Sequence, residues 1–235
     1  PAHNGGSREI PQCGVELIGA KGKKADVEII VTAIDALRCC GAPKFHVELG
    51  HAGYFRELAG RLELEEGKVE KIRSLIEGKN FAALKALLEP YRGNPACAAL
   101  EQLSRLFGGV EVLGQAEKLA GKTPAVDYLS ELYDELSAAG YGPYIRFDLG
   151  MVHQIDYYTG VVFRGYVEGA GDAVLSGGRY DNLVGIFGRE AQATGFAVDG
   201  DAVARTLPEM VLPVLRTVVH YEPGYLAQAL EAVDG

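Results

Sequence analysis

From Tyr144 onward the chain passes through four β-rich stretches, YIRFDLGM (144–151), DYYTGVVFRGYVEG (156–169), AVLSGGRYD (173–181) and TGFAVDG (194–200), with turn residues between them. Their connections are too short for crossover helices. Neighbouring antiparallel strands are therefore expected in preference to βαβ units. In the first stretch Ile145, Phe147, Leu149 and Met151 alternate and are expected to share one face of a strand.

Upstream, residues 25–41 (ADVEIIVTAIDALRCCG) read as a helix with Asp26 as its cap. Ile30, Ile34 and Leu37 fall at helical spacing, and Gly41 and Pro43 stop it. KFHVELG (44–50) alternates as a strand does. From about Tyr54 to Gly140 the character changes to leucine-rich, charged segments such as VEKIRSLIEG, FAALKALLE and AVDYLSELYDELSAAG. The expected organisation is a sheet-forming core over 1–55 and 141–205, interrupted by a helical unit at 56–140. The last part, 206–235, begins a strand–helix pattern with VLRTVVHYE and AQALEAV that stops unfinished.

A length of 235 residues suffices to bury a sizeable core. The net charge of −9 counts against a general nucleic-acid surface, which needs clustered Lys and Arg; Lys21, Lys23 and Lys24 read as a solvated turn. No apolar run is long enough to cross a membrane, and the opening PAHNGGSREI has no signal-peptide pattern. That opening reads as the interior of a longer chain. Cys13, Cys39, Cys40 and Cys97 have no CxxC spacing, so buried free thiols in a reducing compartment are expected.

Several motifs are set aside. AGKTP (120–124) contains GKT, but a phosphate-binding loop needs a further glycine where Ala116 stands, so a loop between helices is expected. His46 and His51 offer no metal-ligand spacing, and no serine lies in GxSxG. Gln12 and Glu16 are four apart and share one side of an extended segment. They could hold an ammonium and a polar side chain or form an exposed sheet face, and spacing alone puts the exposed face first. Asp156, Tyr157 and Tyr158, with Arg179, Tyr180 and Asp181, lie beside glycines that permit close backbone approach. That chemistry suits a small polar ligand and equally suits hydrogen-bonded core tyrosines.

Together, QCGVELIG, the helix from Ala25, IDYYTGVVF, SGGRYDNLVG and TGFAVDG occur in the order found in the histidyl-tRNA synthetase catalytic core. The resemblance covers roughly residues 8–56 and 141–205, and is strongest to the synthetase-derived regulatory subunits of ATP phosphoribosyltransferase. It implies an α+β class II aminoacyl-tRNA synthetase-like antiparallel sheet flanked by helices, with an inserted helical unit. It also implies a histidine pocket made of Gln12, Glu16, Tyr157, Tyr158, Tyr180 and the backbone near Gly177 and Gly178. There a carboxylate pairs with the α-ammonium while the tyrosines enclose the imidazole.

The departures point away from catalysis. His153 stands where synthetases carry an arginine that contacts the reacting carboxylate and α-phosphate, and a neutral imidazole supplies no such fork. Where an ATP-holding arginine is expected, the chain has Ala202, with Asp199 in place of a small glycine and Arg205 three residues late. Motif 1 and the arginine-bearing first part of motif 2 are not in this sequence. The resemblance thus implies a non-catalytic, cofactor-free cytoplasmic subunit that binds L-histidine and partners a short-form ATP phosphoribosyltransferase in a hetero-oligomer, with a dimer of regulatory subunits and no membrane or nucleic acid. A histidine–tRNA ligase and an orphan amino-acid-binding module are the alternatives.

Overall fold

The computed structural model describes residues 11–152, 157–208 and 218–234. Strand β1 (Gln12–Ile18) leads to helix α1 (Lys23–Cys39) and strand β2 (Phe45–His51). Helices α2 (Ala52–Gly60), α3 (Glu66–Glu77), α4 (Phe81–Leu88) and α5 (Pro95–Gln102) follow, then the two-residue β3 (Phe107–Gly108). After α6 (Glu111–Ala120) and α7 (Pro124–Ala138) come β4 (Ile145–Asp148), β5 (Val161–Val167), β6 (Leu175–Arg179) and β7 (Ala193–Asp199). The short α8 (Gly200–Ala204) and α9 (Leu226–Asp234) complete the described elements. The latter contains AQALEAV; of VLRTVVHYE, residues 214–217 lie outside the described residues and 218–222 are not in a strand.

The sheet has the order β1-β7-β6-β5-β2-β4-β3. Its pairs are antiparallel except β2 with β4, which is parallel. A parallel neighbour requires a long crossover, and α2 to α7 supply it. The helical stretch is therefore the connection between two adjacent strands, and its core is continuous with that of the sheet. Leu88, Leu100, Leu129, Leu132 and Leu136 bury into one cluster with Ile30, Ile34, Val47, Leu49 and Phe147.

Local signals set the helix ends. Asn80, Asn94 and Thr123 accept hydrogen bonds from the amides of Ala83, Ala96 and Val126, each capping the helix that follows. Thr123 belongs to the GKT stretch, which serves as the α6–α7 turn. The first helix starts two residues earlier than expected, after Gly22 at φ 74°, and Asp26 is not its cap. Asp26 sits inside the first turn, fully buried, and makes an ion pair. Gly41, at φ 76°, ends the helix: its amide bonds the Arg38 carbonyl, and that of Ala42 bonds the Leu37 carbonyl.

Two further expectations are corrected. The strand in YIRFDLGM stops at Asp148, because the Asp148 carboxylate accepts from the Gly150 amide (2.8 Å) and turns the chain. All four alternating residues are buried, but Met151 leaves the others and packs with Ala52 and Val162 on the opposite face of the sheet. Of the cysteines only Cys97 is buried; Cys13, Cys39 and Cys40 are exposed, on an edge strand and at a helix end.

Candidate amino-acid-binding site

Antiparallel register aligns Glu16, Gly195, Gly178, Val162 and Gly50 in one row across β1, β7, β6, β5 and β2. Directly paired residues point to the same face, so this row alternates away from the face that α1 covers. Gly195 and Gly178 leave a strip of bare backbone beside Glu16. A Cβ on Gly195 would overlap the Glu16 carboxylate, and one on Gly178 would lie 2.7 Å from the Tyr158 ring. The glycines therefore make room for those two side chains.

The tyrosines converge on this strip. Tyr180, only 6 % exposed, donates its hydroxyl to the Glu16 carboxylate. Burial, followed by that carboxylate, holds the Tyr180 phenol well above its ordinary range, so it remains a donor. Tyr157 stacks on Tyr180 with ring centres 5.2 Å apart, and Tyr158 meets Tyr157 edge-on at 4.8 Å. Burial pushes the Tyr158 phenol up to about 12. The turn carrying both rings is tied down on two sides. Thr159 bonds the Arg179 carbonyl (2.7 Å) and accepts from the Asp181 amide (3.0 Å), while the Arg56 guanidinium donates to the Tyr158 carbonyl.

Arg179 and Asp181 face away from this cluster. The Arg179 Nε donates to both oxygens of Asp26 (3.0 and 3.1 Å), and its Nη1 donates to Asp181 (3.1 Å). Tyr128 of α7 donates to the same Asp26 carboxylate. This buried group anchors β6 to α1 and α7 and so fixes the strand from which Tyr180 projects.

Of the residues expected in the pocket, Glu16, Tyr157, Tyr158, Tyr180 and Gly178 come together. Gly177 points its missing side chain at Phe163 and Phe196 on the core face, though its backbone lines a cavity of about 230 Å³ beside Tyr158. Gln12 stands four residues along β1, exposed and paired with Asp199, at the far end of the same face. Asp156 and His153 lie outside the described residues. Sequence reading missed Gly195 and took Asp26 for a helix cap. Gly195 was visible in TGFAVDG, but its role emerges only from the register with Glu16.

The sequence profile of the histidyl-tRNA synthetases matches residues 1–203. The chain belongs to the histidyl-tRNA synthetase family. Within that family it is 40 % identical over 238 residues to an ATP phosphoribosyltransferase regulatory subunit of Clostridium botulinum, covering 97 % of this chain and 56 % of that protein. A solved structure described as an ATP phosphoribosyltransferase regulatory subunit/histidyl-tRNA synthetase from Bacillus halodurans is 35 % identical, with a TM-score of 0.74 over 85 % of this chain and 54 % of the other. The histidyl-tRNA synthetase of Nostoc shares the fold at 18 % identity, with a TM-score of 0.75 over 97 % of this chain and 58 % of the other. The chain thus spans a little over half the length of the curated relative.

Against the histidyl-tRNA synthetase pattern, Asp199 caps α8 by accepting from the Ala202 amide (2.9 Å). Ala202 brings no charge to the cavity of about 410 Å³ that it lines, whereas Arg205, one turn on, lines the same cavity. Among the described residues no group of three or more His, Cys, Asp or Glu is placed to hold a metal ion, and no helix is long and apolar enough to cross a membrane.

Proposed function

We propose that this chain is the synthetase-like part of a non-catalytic regulatory subunit that binds L-histidine and controls a short-form ATP phosphoribosyltransferase. The observation that carries the reading is the Glu16–Tyr180 pair, flanked by Tyr157 and set beside the bare backbone of Gly178 and Gly195. A carboxylate accepts from an N–H of the ligand, and stacked phenols supply apolar walls with polar tips, which suits an imidazole-bearing amino acid. The names of the relatives support the regulatory role. The uncharged Ala202 supports a site that holds an amino acid without activating it, since transition-state charge needs fixed donors.

In this reading histidine signals end-product level in its own biosynthesis, in the cytoplasm, within a hetero-oligomer of a regulatory-subunit dimer and the catalytic subunit. Histidine must then bind one state of the assembly more tightly than the other, because a ligand indifferent to the two states shifts neither.

Calorimetric titration with L-histidine and then ATP, with pyrophosphate exchange assayed on the same sample, tests the proposal. Histidine binding without ATP binding or exchange is expected. Exchange activity would overturn the regulatory reading in favour of a histidine–tRNA ligase. A chain that binds neither ligand would remove the histidine site.

A further inference from the structure

Helix α2 touches the tyrosine turn and the inserted helices at once. Its first residue meets the turn twice. The Ala52 amide donates to the Gly160 carbonyl (2.9 Å), and Ala52 packs with Met151 and Val162 in the small cluster on which Tyr158 rests. One helical turn further along, the Arg56 guanidinium donates to the Tyr158 carbonyl. Bonds from a charged donor are the stronger kind. The backbone that carries Tyr158 is therefore held from α2 at two carbonyls, those of residues 158 and 160.

The other end of the helix is bonded to the α6–α7 turn. Arg61, the C-terminal cap of α2, donates to the Ala120 carbonyl and, through Nη2, to the Lys122 carbonyl (3.1 Å). The Arg61 carbonyl accepts from the Asn94 side chain (2.9 Å) ahead of α5. The Glu57 carboxylate accepts from the Thr123 hydroxyl and the Ala125 amide, at the start of α7. Arg56 and Arg61 are separated by about 7.5 Å of helix, so one short rod joins the two turns.

Within this rod two polar atoms have no partner among the described residues. Tyr54 Oη and Glu57 Oε2 are both buried and make no hydrogen bond. They stand three residues apart, which makes them neighbours on one face of the helix. One is a donor lacking an acceptor and the other an acceptor lacking a donor, and a buried group left unpaired carries its full desolvation cost. Two bonding schemes thus compete for Glu57. In the one described it reaches out to Thr123 and Ala125; turned back by one helical turn to meet the Tyr54 hydroxyl, it gives them up.

We propose that Arg56 is a positioning residue for Tyr158, and that α2 carries the state of the pocket to the α6–α7 turn by exchanging these two schemes. A ligand against Tyr158 steadies the tyrosine turn, the turn steadies Ala52 and Arg56, and α2 then keeps Glu57 on α7 and Arg61 on α6. Without the ligand, Tyr54 competes for Glu57 and the α6–α7 turn opens more often. This rests on the reading of the tyrosine cluster as a histidine pocket. It gives that pocket a second site to act on, which control of a partner requires.

Hydrogen exchange read by mass spectrometry, with and without saturating L-histidine, is the test. The 235-residue chain is used, with its histidine binding measured in parallel by calorimetry. Histidine should slow exchange of the amides between residues 121 and 126 by about fivefold or more, the lower end of ordinary coupling. The slowing should exceed that of α3, which reports stabilisation of the chain as a whole. Arg56→Gln should still bind histidine but lose the extra slowing, and Arg56→Lys, which keeps a charged donor, should restore part of it. Tyr54→Phe should act the opposite way. With no hydroxyl to compete for Glu57, exchange at 121–126 is slow before histidine is added, and histidine affinity is unchanged or tighter. Histidine binding without the extra slowing, or the same slowing in Arg56→Gln and Tyr54→Phe as in the wild type, would overturn this coupling and leave the histidine pocket standing. No histidine binding by the wild type would remove both.

Discussion

The Tyr180 hydroxyl donates to the Glu16 carboxylate, joining two residues 164 positions apart in sequence. The contact crosses β7, where Gly195 offers no side chain to stand between them. Replacing Tyr180 by Phe removes a neutral hydroxyl donor, and Glu16 by Gln removes the charge of the carboxylate it serves, in neither case opening the core. Histidine affinity should fall roughly ten- to hundredfold, with the melting temperature shifting only slightly because Glu16 is on an exposed strand. Titration calorimetry and a thermal melt on the same samples check both halves.

The two faces of the glycine strip predict different phenotypes. Gly195→Ala drives a methyl group into the Glu16 carboxylate and to 2.6 Å from the Val15 carbonyl. Loss of histidine binding is expected from a chain that still folds. Gly177→Ala instead meets the Phe163 ring and the Phe196 Cβ, each at 2.6 Å, on the core face, together with the Gly195 backbone carbonyl. It should cost about 1–3 kcal/mol of stability, as overpacking does. Denaturant midpoints and ligand titrations separate the cases; normal histidine binding by the Gly195→Ala variant would show that Glu16 has room to move.

Asp26 is fully buried, and its partner Arg179 is 7 % exposed. Asp26→Ala leaves a buried guanidinium with Asp181 alone as its acidic partner. Breaking a buried pair from one side costs about 3–5 kcal/mol, a loss of roughly 6–20 °C in a chain of this size. Removing both charges together, as Asp26→Leu with Arg179→Met, should cost less than the single change. Scanning calorimetry of the wild type and the two variants gives the comparison.

His51 supplies a pH test. Burial, and then the nearby Arg56 charge, lower its pKa to about 4 from 6.5. Its Nδ1 also accepts from the Gly53 amide to cap α2, so a proton there breaks the cap. Because the folded state binds this proton more weakly than the unfolded chain, the contribution is fully present above pH 6.5 and declines as pH falls toward 4. Its size is at most about 3 kcal/mol. His51→Asn keeps a cap acceptor without the titration, so its melting temperature should fall less steeply across that window. An identical pH profile in the variant would assign the acid sensitivity elsewhere.

The sequence made the elements legible where local physics decides them. The Gly41 stop and the β-rich runs of β5 and β7 are local signals, and the structure follows them. The tyrosines and Glu16 were legible only as linked motifs in a known order, since nothing local says that residues 16 and 180 touch. Asp26 was misread because a carboxylate near a helix start has a local partner in the backbone amides and a distant one in Arg179, and only the fold chooses.

The parallel pairing of β2 with β4 has a consequence for anyone wishing to shorten this chain. These strands run side by side in the same direction, so the segment between them must return the whole length of the sheet before β4 can align. A short flexible graft in place of α2 to α7 would have to make that return trip and also replace the leucines that cover Val47, Leu49 and Phe147. The helices are thus no removable ornament: they carry the chain to the place beside β2 where β4 can run parallel to it.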